Sequence, residues 1–273
     1  MDHPLQAWRD TLGDLGVVGL VRQTPAAPAP PAAPERRAQT PAPPIAPPPP
    51  PPPRQGPPAY VPPTDPAACP SAEVVAACGS LEDLQRAVAG CLACPLGGGR
   101  IKLVFGEGDP QARLLFVGEG PGRDEDLQGR PFVGKAGELL DKMIGALGLK
   151  REQTYITNVV MCRPPDNRVP APEEARACLG YLRRKLELLQ PAVIVTLGAT
   201  PLRELLGVSE GITRVRGQWR RLKVGDREIP VMPTFHPAYV LRQYTQDVRR
   251  AVWEDLQAAK AWMDRPDSPD AGR

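Results

Sequence analysis

The chain has 273 residues and a formal net charge of only +3, which by itself says little about partners. That length admits one large domain or two small ones. No run of eighteen apolar residues occurs, so no membrane-spanning helix is expected, and no basic-then-apolar leader opens the chain, which argues against secretion and for a cytoplasmic protein.

From the N-terminus, Leu5, Trp8, Leu12 and Leu15 recur at roughly helical spacing. A short amphipathic helix within residues 1–24 is expected, either docked on the body or recruiting a protein partner. Residues 25–66 then hold twenty of the 37 prolines, including an unbroken run from Pro47 to Pro53. A segment so poor in backbone donors and large apolar side chains cannot build a core. Residues 25–78 therefore read as a disordered, semi-rigid linker. The body, residues 79–264, keeps about 185 residues, enough for one well-buried domain, and residues 265–273 read as a disordered tail.

Within the body, apolar runs alternate with helical patterns. Strands are expected over 113–118, 154–160, 192–197, 214–224 and 229–234, and helices over 137–147, 172–189, 200–206 and 246–263. Strands separated by helices imply a three-layer α/β/α sandwich with a mostly parallel central sheet. Ligands in such folds sit beyond the carboxyl ends of the strands. Three loops with chemical content fall there: after Val117, after the strand holding Asn158, and after Met232.

Four of the six cysteines carry the most information. Cys91 and Cys94 form a C-x2-C pair, while Cys162 and Cys178 follow far downstream, with fifteen residues between them. Four thiolates suit a structural zinc or an iron–sulfur cluster. A zinc ribbon would supply two compact knuckles, and the second pair is too widely spaced for that. A metal held here would staple the start of the domain to its middle. Cys69 and Cys78 lie in or beside the linker and read as incidental.

The first loop, Gly118-Glu119-Gly120-Pro121-Gly122, runs on to Gly129-Arg130-Pro131-Phe132-Val133-Gly134-Lys135-Ala136. Its glycines let backbone amides approach a ligand. The second stretch is one residue short of a P-loop: Ala136 replaces the hydroxyl that would hold magnesium, and no strand leads into Gly129. Nucleotide triphosphate binding is set aside on that ground. From local sequence alone, Glu119 is a turn acid or a functional carboxylate, Phe132 a core ring or a stacking face, and Asn158 a turn residue or a ligand. His236, one of two histidines, opens His236-Pro237-Ala238-Tyr239-Val240-Leu241-Arg242 after a strand. Residues 211–250 hold nine Lys or Arg against three acids, which suits either a polyanion or an ordinary solvated face.

Taken in order, C-x2-C, GEGPG, GRPFVGKAG, TYITNVVMCRPP, a cysteine fifteen residues on, and HPAYVLR resemble the family four uracil-DNA glycosylases, the iron–sulfur class. The resemblance spans roughly residues 84–262 and leaves the first eighty uncovered. It implies a uracil-DNA glycosylase-like fold, a structural 4Fe-4S cluster on Cys91, Cys94, Cys162 and Cys178, and excision of uracil from DNA to start base excision repair. Expected roles are stacking of a flipped uracil on Phe132 and reading of its O4 and N3–H by Asn158. His236 would donate to O2 as the base departs as an anion, and a neutral imidazole would suffice. The backbone at Glu119 and Gly120 would line the pocket and hold the attacking water, the Glu119 side chain would serve either as a base or as a positioning and cation-stabilising group, and Glu125 would lie near the C5 position to exclude thymine. Val240 or Leu241 would wedge into the gap left by the base, or Leu241 would pack inward at a helix start, while Arg242 would meet phosphate. The chain lacks the inserted basic loop with which some homologues become joined to their DNA, so turnover is expected. The expected state is a monomer associated with the nucleoid. Two other classes stay open: a catalytically weak DNA-binding module with a sensing cluster, and a zinc-stapled nucleotide-binding protein.

Overall fold

A computed structural model describes residues 69–265. The expected N-terminal amphipathic helix, most of the proline-rich linker and nearly all of the C-terminal tail lie outside the described residues.

Six strands form one sheet in the order β1-β3-β2-β4-β6-β5. They are β1 (Glu107–Gly108), β2 (Leu114–Gly118), β3 (Tyr155–Asn158), β4 (Val193–Leu197), β5 (Arg220–Val224) and β6 (Arg227–Thr234). The four inner strands β3, β2, β4 and β6 run parallel, and β1 and β5 pair antiparallel at the two edges. Every residue of β2, β3 and β4 is buried. That is the pattern of parallel strands covered on both faces, and it explains why their sequences read as continuous apolar runs.

The helices are α1 (Ala72–Ala77), α2 (Leu81–Val88), α3 (Leu96–Gly99), α4 (Arg123–Gln128), α5 (Lys135–Ala146), α6 (Pro172–Leu189), α7 (Ala199–Leu206), α8 (Ile212–Val215), α9 (Pro237–Arg242) and α10 (Gln246–Met263). Side chains of α1, α2 and α6 share a core with Leu115 and Val117 of β2, Ile194 of β4 and Val231 of β6. Successive residues of a strand point to opposite faces. Leu114 and Phe116, wholly buried, therefore serve the other face, where α10 packs on β2, β4 and β6. The α/β/α layering is as the alternation of patterns implies. No helix among the described residues is long and apolar enough to cross a membrane.

Three local features depart from the sequence reading. Residues 72–78, assigned to the linker, are part of the packed domain: Ser71 caps α1, and Val75 and Cys78 enter the core. Cys78 also offers its carbonyl to Arg184 of α6, at 2.7 and 3.2 Å. The strand expected over 214–224 is split. Residues Ile212–Val215 are helical and only Arg220–Val224 is extended. Gly217, at φ 72°, turns the chain between them and leaves no room for a side chain, because a Cβ there would stand 2.8 Å from Asp255. Beside it, Arg216 clamps the buried Asp255 of α10, which also accepts from Thr234 at 2.6 Å. The strand expected to reach residue 160 ends at Asn158, and Val159 and Val160 turn toward the next loop, donating to the carbonyls of Gly118 and Glu119.

Candidate active site and the cysteine group

The parallel strands β2, β3, β4 and β6 end at Gly118, Asn158, Leu197 and Thr234, all on one edge of the sheet. Beyond that edge lies a cavity of about 740 Å³ whose wall includes Glu119, Gly120, Glu125, Phe132, Asn158 and His236. Six residues singled out at separate places along the sequence thus meet in one hollow, and Arg242 stands at its wall as well.

At the end of β2, Gly118 has no side chain because none fits. A Cβ there would lie 2.4 Å from Asn158 Oδ1 and 2.5 Å from Phe132 Cζ. The amide and the ring therefore converge on bare backbone. Asn158 is only 2 % exposed, and its Oδ1 is buried without a hydrogen-bond partner. Orphaned buried acceptors are costly, so an unpaired carbonyl oxygen at a cavity wall marks a place for a donor. Phe132 sits at φ 51°, an uncommon conformation for a residue with a side chain. Its ring centroid lies 5.6 Å from that of His236.

His236 caps α9. The Ala238 amide donates to its Nδ1 at 3.1 Å, which leaves the ring proton on Nε2. Burial, with Arg242 nearby, pushes the imidazole down to about 4, against a weaker upward pull from Glu125. The ring is therefore a neutral Nε2–H donor across the physiological range.

Glu119 is held by a residue that the sequence reading did not single out. The hydroxyl of Thr200, at the start of α7 and 4 % exposed, donates to Glu119 Oε2 at 2.5 Å. The signal for Thr200 is its place three residues after the end of β4, at the same sheet edge as the other loops. Gly120 is confined by Val160, whose Cγ2 would stand 2.7 Å from a Cβ at 120. Glu125 lines the cavity, but its carboxylate is engaged. Oε2 accepts from Gly122 N at 3.0 Å, and Oε1 accepts from Val133 N at 2.9 Å and Gly134 N at 3.0 Å. It braces two loops together.

At the rim, the two wedge candidates separate cleanly. Val240 is 0 % exposed and belongs to the core, so its expected role as a wedge is corrected. Leu241 projects outward, 37 % exposed, instead of packing inward.

The four cysteines are buried in one core with side chains of α1, α2 and α6. Cys91 and Cys94 lie between α2 and α3, Cys162 follows β3, and Cys178 lies in α6. Negative charge on Cys178 would be felt from Cys162, Cys94 and Cys91, so the four form one electrostatic group. Gly97 lets the C-x2-C loop close, since a Cβ there would meet the Cys91 carbonyl at 2.7 Å. Burial raises the Cys94 thiol to about 11 and the Cys178 thiol to about 12. Polar donors surround the sulfurs: Arg100 Nη1 to Cys162 Sγ at 3.4 Å, Ala93 N to Cys91 Sγ at 3.5 Å, and the Tyr181 hydroxyl at 3.3 Å from Cys91 Sγ. Among the described residues, no group of three or more His, Cys, Asp or Glu side chains is arranged to hold a single metal ion.

Sequence comparison assigns this architecture. Residues 105–257 match the model of the uracil DNA glycosylase superfamily. The chain belongs to that superfamily. A type-4 uracil-DNA glycosylase of Thermotoga maritima is 46 % identical over 187 residues, which is 67 % of this chain and 94 % of that protein. One from Archaeoglobus fulgidus is 44 % identical over 182 residues, 65 % of this chain and 90 % of that protein. A type-5 enzyme of Thermus thermophilus matches less of both, at 38 % identity over 118 residues, 38 % of this chain and 53 % of that protein. The superfamily match begins at Phe105, so it covers the sheet and the cavity but neither the C-x2-C pair nor the proline-rich segment.

Proposed function

We propose that this protein is a uracil-DNA glycosylase: it takes a deoxyuridine out of the DNA stack and hydrolyses its N-glycosidic bond, leaving an abasic site that starts base excision repair. The observation that carries the reading is the orphaned Oδ1 of Asn158 at the cavity wall. Uracil offers a donor at N3 and an acceptor at O4, and one amide side chain answers both. Cytosine presents the opposite pattern, so the same amide would leave buried groups unpaired against it. Phe132 supplies the flat face on which the flipped base stacks. A neutral His236, with its proton on Nε2, donates to O2 as negative charge builds on the leaving base. Donation without proton transfer suits a uracil anion as leaving group.

Glu119, oriented by Thr200, holds the attacking water and faces the cationic character that develops on the sugar. Glu125 acts on the C5 side of the base through the loops it braces, and thymine is excluded by the resulting close wall. Leu241 fills the gap in the stack and Arg242 meets phosphate.

The cysteine group fits a 4Fe-4S cluster. Its donor set is four soft thiols, burial makes an uncompensated thiolate costly, and N–H and O–H donors surround the sulfurs. Cys91, Cys94, Cys162 and Cys178 would hold the cluster, and its contribution is to tie α2, the segment after β3 and α6 together rather than to enter bond cleavage. The site of action is cytoplasmic DNA.

The direct test uses the full chain with oligonucleotides carrying uracil opposite G, opposite A and unpaired, beside thymine and cytosine controls. Alkali-labile abasic sites are expected in the uracil strands alone. Intact uracil strands, with protein whose iron and sulfide content is full, would refute the reading.

A further inference from the structure

Residues 131–134 carry the ring of Phe132 into the cavity in a conformation the backbone does not favour. Something must hold them, and two side chains of opposite charge do. From one side Glu125 accepts from the amides of Val133 and Gly134. From the other, Arg151 donates from Nη2 to the Pro131 carbonyl at 2.5 Å and from Nη1 to the Phe132 carbonyl at 3.2 Å. Arg151 is itself fixed. Its Nε donates to Glu107 Oε1 at 2.9 Å and its Nη1 to Asp141 Oδ1 at 2.6 Å, and its side chain is 14 % exposed. Glu107 comes from the edge strand β1, Asp141 from α5, and Arg151 from the turn that leads into β3. Three elements thus aim one planar guanidinium at two carbonyls, a geometry that lysine cannot copy. The first turn of α5 closes the third side: Gly137 packs so near that a Cβ would stand 1.9 Å from the Phe132 carbonyl oxygen.

From this arrangement we infer that Arg151, which does not line the cavity, is a positioning residue for uracil excision: it sets the height and tilt of the Phe132 ring on which the base stacks. The inference rests on the stacking role proposed above. A ring displaced by a fraction of an ångström still makes a cavity, but it no longer holds the base against the Asn158 amide and the His236 donor. The loss should appear in the rate of bond cleavage more than in DNA affinity.

The test is a double-mutant cycle on the full chain, read as single-turnover uracil release and as DNA affinity, with thermal melting of every variant. Arg151→Gln should slow release roughly tenfold to a hundredfold while leaving DNA affinity nearly unchanged. In a Phe132→Ala background the same substitution should cost almost nothing more, because there is no ring left to place. Arg151→Lys should fall between, since it restores charge without the fork, and it enters the same cycle if Arg151→Gln does not fold. Losses that multiply in the double variant, or a loss carried by DNA affinity, would overturn the inference and make Arg151 a general structural or phosphate-facing charge. A slow Phe132→Ala beside an unimpaired Arg151→Gln would also overturn it, while sparing the stacking role. Full activity in Phe132→Ala would remove the stacking role itself.

Discussion

At the residue scale, the chemistry depends on groups held ready without help from solvent. His236 is the clearest case. Its ordinary value is about 6.5, and burial with Arg242 nearby takes it to about 4. The unfolded chain therefore binds a proton near pH 6 that the folded chain refuses. The stability associated with the neutral ring is present above pH 6.5 and is lost as pH falls toward 4. For catalysis the consequence is the reverse of the usual histidine profile. Single-turnover release should stay level from pH 8 down to about 5, and an acid limb centred near 6.5 in the folded enzyme would contradict a neutral donor. Thr200 supplies a second prediction. Thr200→Val should lower the rate roughly tenfold by freeing the Glu119 carboxylate, Thr200→Ser should keep most of it, and melting should barely move. Equal losses in both variants would mean that the hydroxyl bond to Glu119 is not what matters. Asn158, Phe132 and His236 were legible as candidates because each sits at a strand end or in a glycine-framed loop. Thr200 was not, since a threonine opening a helix is ordinary until its partner across 81 residues is seen. Glu125 was placed near the base on loop position, and only the fold reveals that three amides occupy its carboxylate.

At the element scale, the cysteine group and Arg100 join parts of the chain that the sheet alone does not. Arg100 donates to the carbonyls of Ala89 and Cys91, at 2.7 and 2.6 Å, and to Cys162 Sγ, so it ties the C-x2-C loop to the segment after β3. Cys162→Ser should cost folding more than chemistry. With the proposed cluster held there, the variant should lose iron and sulfide, unfold at lower temperature and express poorly, while the residual folded fraction keeps its pocket. Soluble, cluster-free and fully active Cys162→Ser protein would show that no tie is needed. Arg100→Met should act more gently, weakening stability by about 1–3 kcal/mol through the carbonyls it leaves unpaired, as read by urea titration and by the rate of iron loss to a chelator. Element identity was read well wherever periodicity was long. Helix α6 and helix α10 have the limits that their apolar spacing predicts. The failures are short and have tertiary causes. Edge strand β1 has two residues and no periodicity to read, and α8 interrupts an apparent strand because Arg216 and Gly217 answer to Asp255 on α10. Helix α1 falls inside the expected linker because it is only six residues long and follows a run of prolines, so its burial against α6 leaves no local mark.

At the scale of the whole molecule, a parallel sheet gathers four strand ends at one edge, and the loops beyond them bring together residues that lie up to 123 positions apart, from Glu119 to Arg242. The described residues 69–265 contain every group assigned a part in base recognition or bond cleavage. A chain beginning at residue 69 should therefore release uracil from short oligonucleotides at the rate of the full chain, measured in single turnover. A large loss would assign the proline-rich segment or what precedes it a part in catalysis. The account as a whole stands on the unpaired oxygen of Asn158 being the reader of uracil. Its most direct test is the rate of uracil release by Asn158→Ala set against the unaltered protein at matched iron content. Removing the amide should slow release roughly tenfold to several hundredfold, with DNA affinity and melting temperature held close to those of the parent. An Asn158→Ala protein that releases uracil as fast as its parent would contradict the account.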